Sequence, residues 1–165
     1  MVTTCGCIRA PRRVHGYRSV MSDRDLTLAG WLQDHPPEPR MFRQSVAGVS
    51  ERQRGGEPFF AATRDLLDEL ALLPGDEALR SSAIREEPAL TGNAVHDAYL
   101  AALAEHYAAA WDLERPHWAT APSRFLSSFW FSSDVPGFRA LLIAQSPAAF
   151  RRRGLFISAD SLRRV

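Results

Sequence analysis

The sequence predicts an all-α protein, a single-domain irregular helical bundle of six to eight helices. Apolar residues recur every three or four positions through most of the chain after Met21, which is the period of an amphipathic helix. Proline, glycine and short polar residues separate these stretches, where helices end and new ones are capped. A hydrophobic content of 45% and a charged content of 24% are ordinary for a globular domain of 165 residues.

The clearest helix is the stretch from Ala94 to Trp111. Eight of its eighteen residues are alanine, the strongest helix former, and Thr91 or Asn93 can cap its first turn. Larger apolar side chains at three-to-four-residue spacing predict one apolar stripe: Val95, Tyr99, Leu103, Tyr107 and Trp111. The many alanines elsewhere on its surface predict close helix packing on more than one side. We therefore expect it to be the central helix of the bundle.

Further helices are expected on both sides of the central one. Their predicted ranges are 23–34, 39–52, 58–73, 77–87, 135–145 and 147–153. Asp76 is the expected cap of the helix over 77–87, and Ser146-Pro147 reads as a cap followed by a proline in the first turn of the helix that Gly154 closes. Residues 112–134 predict short helical turns, with an extended 129–131 as the alternative. Residues 155–157 are expected to be extended, and Ser158 to cap a last turn.

The first twenty residues are expected to lie outside the fold, as a disordered or mis-annotated N-terminal extension before a natural start at Met21. They show neither helical nor strand periodicity and no apolar region of a signal peptide. The predicted helical domain is therefore 21–165. Cys5 and Cys7 both lie in the extension, and a Cys-x-Cys pair alone does not make a tetrahedral zinc site. We predict no metal site and no cofactor.

Charge is unevenly distributed along the chain. All 20 basic residues are arginine; residues 21–120 carry 9 of them with 17 acids, and residues 121–165 carry 7 with 2 acids. A basic end beside an acidic body fits either an anionic or acidic partner, or neutralisation within one fold. No apolar run approaches the roughly 20 residues that cross a bilayer. We predict a cytoplasmic protein without a membrane partner.

The sequence offers little for catalysis. It has no nucleophile elbow, phosphate loop or dinucleotide fingerprint. On an ideal helix, His96 and His106 would lie about 80° apart around the axis and roughly 15 Å apart along it, so they cannot share a metal. We predict that the protein is not an enzyme and name no catalytic residue.

The candidate contact residues are arginines near the C-terminus: Arg151, Arg152, Arg153, Arg163 and Arg164. Guanidinium groups can neutralise phosphates or pair with a partner's carboxylates. Three consecutive arginines on a helix point in three directions, so about two can serve one surface. The alternative is a solvated helix end, where cations favour the C-terminal dipole.

Three stretches of the C-terminal half resemble small bacterial antitoxin-like and helix-turn-helix regulator proteins. They are HDAYLAALAEH (His96–His106), RFLSSFWFSS (Arg124–Ser133) and SPAAFRRRGLFIS (Ser146–Ser158). In similar proteins this region often follows a helix-turn-helix, and some are encoded beside a nucleotidyltransferase-like toxin. Residues 21–90 depart from that pattern because they show no helix-turn-helix. The resemblance covers about 91–165 and implies no catalytic residue.

Together these observations predict a non-enzymatic antitoxin-like or regulatory protein that binds a partner protein, with a toxin as one such partner. The alternative is a nucleic-acid-binding transcriptional regulator that uses the same arginines. The second alternative is an enzyme of unrecognised type.

Overall fold

The computed structural model describes Gly30 and residues 44–73 and 75–163. The chain divides into two units, Met1–Arg40 and Met41–Val165, and the elements below belong to the second. The predicted N-terminal extension, most of the helix over 23–34 and the start of the helix over 39–52 lie outside the described residues.

The described residues are mostly helical, as the sequence predicts. Their six α-helices are α1 (Val46–Arg54), α2 (Phe59–Ala71), α3 (Glu77–Arg85), α4 (Ala94–Ala110), α5 (Arg139–Gln145) and α6 (Ala148–Arg151). Short 3₁₀ helices cover His117–Thr120, Pro122–Arg124, Pro136–Phe138 and Ala159–Leu162. Two short strands, β1 (Trp130–Phe131) and β2 (Leu155–Phe156), pair in parallel, with Trp130 opposite Leu155.

Helix α4 is the centre of this unit. The Asn93 side chain caps it and accepts hydrogen bonds from the backbone N–H groups of Val95 and His96. Eight consecutive residues, 97–104, are buried, so the helix is covered all round rather than along one stripe. The close approach predicted from its alanines is confirmed: α3, α6, β2 and the 3₁₀ helices over 117–124 all pack against it.

Of the other predicted caps, two are confirmed and one is wrong. The Asp76 carboxylate accepts hydrogen bonds at the start of α3, and the Ser158 hydroxyl accepts one from Asp160 N. Ser146 does not cap α6, whose N-cap residue is Pro147. Its buried hydroxyl instead donates to the Ile157 carbonyl at 2.8 Å and accepts from the Ile157 N–H at 2.6 Å. It thereby satisfies backbone groups beyond β2 that would otherwise be buried unpaired.

The strand pair decides between the two predictions for residues 129–131, because Trp130 and Phe131 are extended. The Trp130 N–H donates to the Gly154 carbonyl at 2.8 Å. Gly154 closes α6 with a φ of +77°, a conformation that costs residues with a Cβ more than it costs glycine. The turn at Gly154 therefore redirects the chain after α6 so that β2 can pair with β1.

None of the helices in the described part of the chain is long and apolar enough to cross a membrane.

Candidate functional site

The arginine run at 151–153 sits at the junction of α6 and the turn at Gly154. Because the helix ends at Arg151, the three side chains leave the backbone in different directions. Arg151 and Arg152 are exposed, whereas Arg153 is only 1% exposed. The run therefore does not form one basic face.

Arg153 points into the protein. Its guanidinium lies 2.7 Å from a carboxylate oxygen of Glu105 and donates hydrogen bonds to the carbonyls of Ala119 and Ala149 at 2.7 and 2.8 Å. The Phe125 ring covers it at 4.9 Å. Burial lowers the pKa of Arg153, and the hydrogen bond to Glu105 opposes that shift. In this conformation Arg153 cannot offer its charge to a partner, which corrects its assignment as a surface contact.

Glu105 on α4 binds more than one arginine. Arg152 donates a hydrogen bond to the same carboxylate oxygen at 2.6 Å, and Arg115 lies 3.9 Å from the other oxygen. Arg152 is nevertheless close to half exposed. Its charge is thus largely matched within the fold, although its side chain remains accessible.

The other predicted contact residues differ in their surroundings. Arg151 is exposed, and within the described ranges no carboxylate lies within ion-pair distance of it. Arg163 is 79% exposed and lies 3.6 Å from Asp160. Arg164 is outside the described residues. Among the described members of the predicted set, Arg151 therefore has the most available charge.

A second buried arginine was not among the predicted site residues. Arg124 is 1% exposed and lies 3.7 Å from the buried carboxylate of Asp97. It also donates to the Pro88 carbonyl. The same carboxylate accepts hydrogen bonds from the N–H and hydroxyl of Thr91. The basic C-terminal region and the acidic body thus neutralise each other inside the fold, which was one of the two interpretations of the charge pattern.

Exposed apolar side chains are concentrated in residues 129–143, called here the 129–143 segment. Five of its large apolar residues are exposed: Phe129, Val135, Phe138, Leu141 and Ile143. Phe129 is 76% exposed. In α5, which ends just beyond this segment, Leu142 is the buried residue and the other six are exposed. Helix α5 therefore buries one side chain, that of Leu142, and leaves most of its surface open.

Ring contacts connect α5 with the strand pair. The Phe156 ring meets Phe129 edge-on at 5.4 Å and stacks on Phe131 at 4.8 Å. The guanidinium of Arg139, the first residue of α5, lies 5.3 Å from the centre of the Phe131 ring. The 129–143 segment thus combines exposed apolar groups with a cation held on an aromatic face.

The histidines of α4 do not form a catalytic group. The His96 ring stacks on Phe59 at 3.9 Å, and the His106 ring meets Tyr107 and Phe150 edge-on. Burial lowers the pKa of both imidazoles. Within residues 44–73 and 75–163, no three side chains of metal-binding type come close enough to hold an ion.

A cleft lies between α3 and the chain over 113–118. It has a volume of about 760 Å³ and is lined by side chains of both signs, including Glu77, Arg85, Glu114 and Arg115. Trp118 closes one wall, and its indole N–H donates to the Arg85 carbonyl at 3.0 Å. Mixed charge of this kind does not favour one class of ligand.

No protein-family model, no curated protein and no solved structure matches this chain.

Sequence reasoning missed Glu105, Arg124 and the 129–143 segment. Glu105 lies within the alanine-rich central helix, where its isolated charge among small residues was the available signal. Arg124 lies between a proline turn and an aromatic stretch, which resembles a surface position in sequence. A helix over 135–145 was predicted, but periodicity does not show whether another element covers its apolar residues.

Proposed function

We propose that this protein is a non-enzymatic, antitoxin-like or regulatory protein that binds a partner protein through the 129–143 segment. The observation that carries the proposal is the exposure of α5, where Leu141 and Ile143 are both exposed, one on each side of the buried Leu142. A short helix gains most of its stability by packing an apolar face. Clusters of exposed apolar groups on a folded protein mark interaction sites.

The partner surface is expected to be an apolar groove bordered by carboxylates. Helix-in-groove recognition uses apolar anchors three or four residues apart. Phe138, at the end of the preceding 3₁₀ helix, and Leu141 of α5 have this spacing, and Ile143 adds apolar surface on the other side of α5. Arg139 lies at the start of the same helix, and Arg151 follows shortly after it, both exposed. Carboxylates at the rim would complement these cations and orient the helix in the groove.

Internal pairing weakens the alternative of nucleic-acid binding. Arg152 and Arg153 share Glu105, and Arg163 lies near Asp160. Each cation that is matched within the fold gains less from a phosphate. No observation on the described residues favours an enzyme either, so partner binding remains the better-supported function.

The proposal extends to the rest of the chain. We take residues 21–165 to form one irregular bundle of six to eight helices in the cytoplasm, an interpretation supported by the helical period of residues 23–34. Limited proteolysis of the full chain tests it. Protection from about residue 21 onward is expected, and rapid cleavage throughout 21–40 would contradict it.

Site-specific photo-crosslinking in the cells that produce the protein tests the proposed surface. A benzophenone side chain placed at position 141 or 143 should give one discrete adduct with a partner protein. The same group at position 72 is the control, because Leu72 is 70% exposed but lies at the end of α2. Equal adducts at 72 and 141, or none at 141 and 143, would reject the segment as the binding surface. An adduct with a second copy of this chain would replace the proposed partner with self-association.

Charge reversal then tests the cations separately. Arg151→Glu should lower the affinity for the crosslinked partner about tenfold while leaving the unfolding transition unchanged, because Arg151 is exposed. Arg153→Glu should instead disrupt folding, since it places two carboxylates together in a buried site. An unchanged affinity for Arg151→Glu would remove this residue from the interface.

A further inference from the structure

A second cleft lies between one face of α2, helix α4 and the strand pair. It has a volume of about 410 Å³, and α2 contributes residues at helical spacing, including Phe60 and Arg64. The other side of the cleft is lined by four further residues used below: Tyr99 of α4, Trp130 of β1, Ser132 and Ser161. Its volume falls within the range of small-molecule sites, roughly 300–1,000 Å³.

Aromatic rings form the walls of this cleft. Phe60 meets the Tyr99 ring edge-on at 5.9 Å with an angle of 87° between the planes. Trp130 stands on the strand side and is partly buried. Rings from three separate elements therefore face one space, which suits a planar apolar group that can make stacked or edge-on contacts.

Tyr99 supplies a hydroxyl without a partner. The residue is 5% exposed and lines the cleft, yet no hydrogen bond joins its hydroxyl to any described residue. Burial raises the pKa of Tyr99 to about 12, so the phenol stays protonated at neutral pH and can donate. The hydroxyl oxygen itself is not fully buried, so an acceptor from solution can reach it. A ligand oxygen in the cleft would provide one.

Arg64 supplies the charge. Among the described residues that line the cleft, Arg64 is the one that carries a charge. No Asp or Glu of the described residues lines it. Its guanidinium is exposed and has no carboxylate of the described residues within ion-pair distance. A guanidinium without a counter-charge and a hydroxyl donor on the same cleft favour a carboxylate, which accepts hydrogen bonds from both.

We propose that this cleft binds a small aromatic carboxylate. Its ring lies between Phe60 and Trp130, its carboxylate pairs with Arg64, and Tyr99 donates to one of its oxygen atoms. The two serine hydroxyls at the rim, Ser132 and Ser161, accept from or donate to polar substituents. The cleft shares Trp130 and Ser132 with the 129–143 segment, but no residue of α5 is among its described lining residues, so the ligand site does not rest on the proposed function.

Isothermal titration calorimetry of the full-length protein tests the proposal with defined probes. Indole-3-acetate and phenylacetate should bind saturably with one site per chain. The neutral amides of the same two acids should bind at least about tenfold more weakly, because the charge-assisted contact is lost. Hexanoate, which keeps the carboxylate but has no ring, should also bind more weakly.

Three variants assign the contacts. Arg64→Gln should weaken binding of the acids about tenfold and leave the amides unchanged, whereas Phe60→Ala should weaken acids and amides alike. Arg54→Gln is the matched control, an exposed arginine on α1 outside the cleft. Tyr99→Phe should weaken the acids several-fold. The proposal is overturned if none of the aromatic acids binds saturably, or if Arg64→Gln and Arg54→Gln give the same affinity.

Discussion

The guanidinium of Arg153 and the carboxylate of Glu105 meet at 2.7 Å in the interior, and they join the C-terminal turn to the central helix. The arginine is inaccessible, and the glutamate also accepts from Arg152. A residue that resembles surface charge in sequence is thus part of the core. Loss of Glu105 would leave the buried guanidinium of Arg153 without its counter-charge.

Glu105→Gln should lower the free energy of unfolding by about 2–3 kcal/mol, because the Arg153 guanidinium would stay buried without its carboxylate. Urea denaturation monitored by circular dichroism measures the change. Arg163→Gln is the control, since it removes an exposed ion pair and should change stability by less than about 0.5 kcal/mol. Equal effects of the two substitutions would show that the buried pair contributes no more than the exposed one.

Gly154→Ala should lower the free energy of unfolding by about 1–2 kcal/mol, because a φ of +77° is strained for alanine. The added Cβ would also meet the Ser128 carbonyl oxygen at 3.4 Å. Thermal unfolding checks this against Gly137→Ala, where no atom lies within 4 Å of the added Cβ. If the two variants have the same midpoint temperature of unfolding, the turn at Gly154 does not require glycine.

Thr63→Val should raise the free energy of unfolding by about 0.5–1 kcal/mol. Thr63 is 2% exposed, and its hydroxyl has no hydrogen-bond partner among the described residues, so the isosteric change removes an unsatisfied group. Thr120→Val is the comparison, because the Thr120 hydroxyl donates to the His117 carbonyl at 2.7 Å. A loss of stability in Thr63→Val would mean that the hydroxyl is satisfied in solution.

Stability should decrease as the solution is acidified below about pH 6.5. Burial lowers the pKa of His106 below its ordinary 6.5, so the unfolded chain takes up a proton there before the folded chain does. The stabilisation is present above pH 6.5 and is lost as the pH falls towards the folded-state pKa. His106→Gln should flatten this part of the stability–pH curve. An NMR titration that places the His106 midpoint at or above 6.5 would contradict the sign.

Local elements of the fold were largely predictable. The alanines of α4, the Asn93 cap and the Asp76 cap are short-range signals, and the helices formed where those signals predicted. Ser146 shows the limit. A Ser-Pro pair reads as a helix start, but the hydroxyl bonds to Ile157, which periodicity does not place beside it.

The candidate sites depend on long-range placement and were predicted less well. Adjacent arginines at 152 and 153 look alike in sequence, and only the turn after α6 sends one outward and the other into the core. Likewise, the residues that line the cleft between α2, α4 and the strand pair come from four separate elements. Their chemistry is visible in the sequence, but their proximity is a property of the tertiary fold.

Three ion pairs of the described residues with at least one buried or mostly buried member cross one point of the chain, the turn after α4, where Asp112 has a φ of 56°. Asp97 and Glu105 precede this turn, whereas Arg124, Arg152 and Arg153 follow it. A single cut between Asp112 and Pro116 would therefore leave the acids on one fragment and their cations on the other. Each fragment would carry charges that only the other can neutralise, so the two pieces should reassemble as the halves of a split protein.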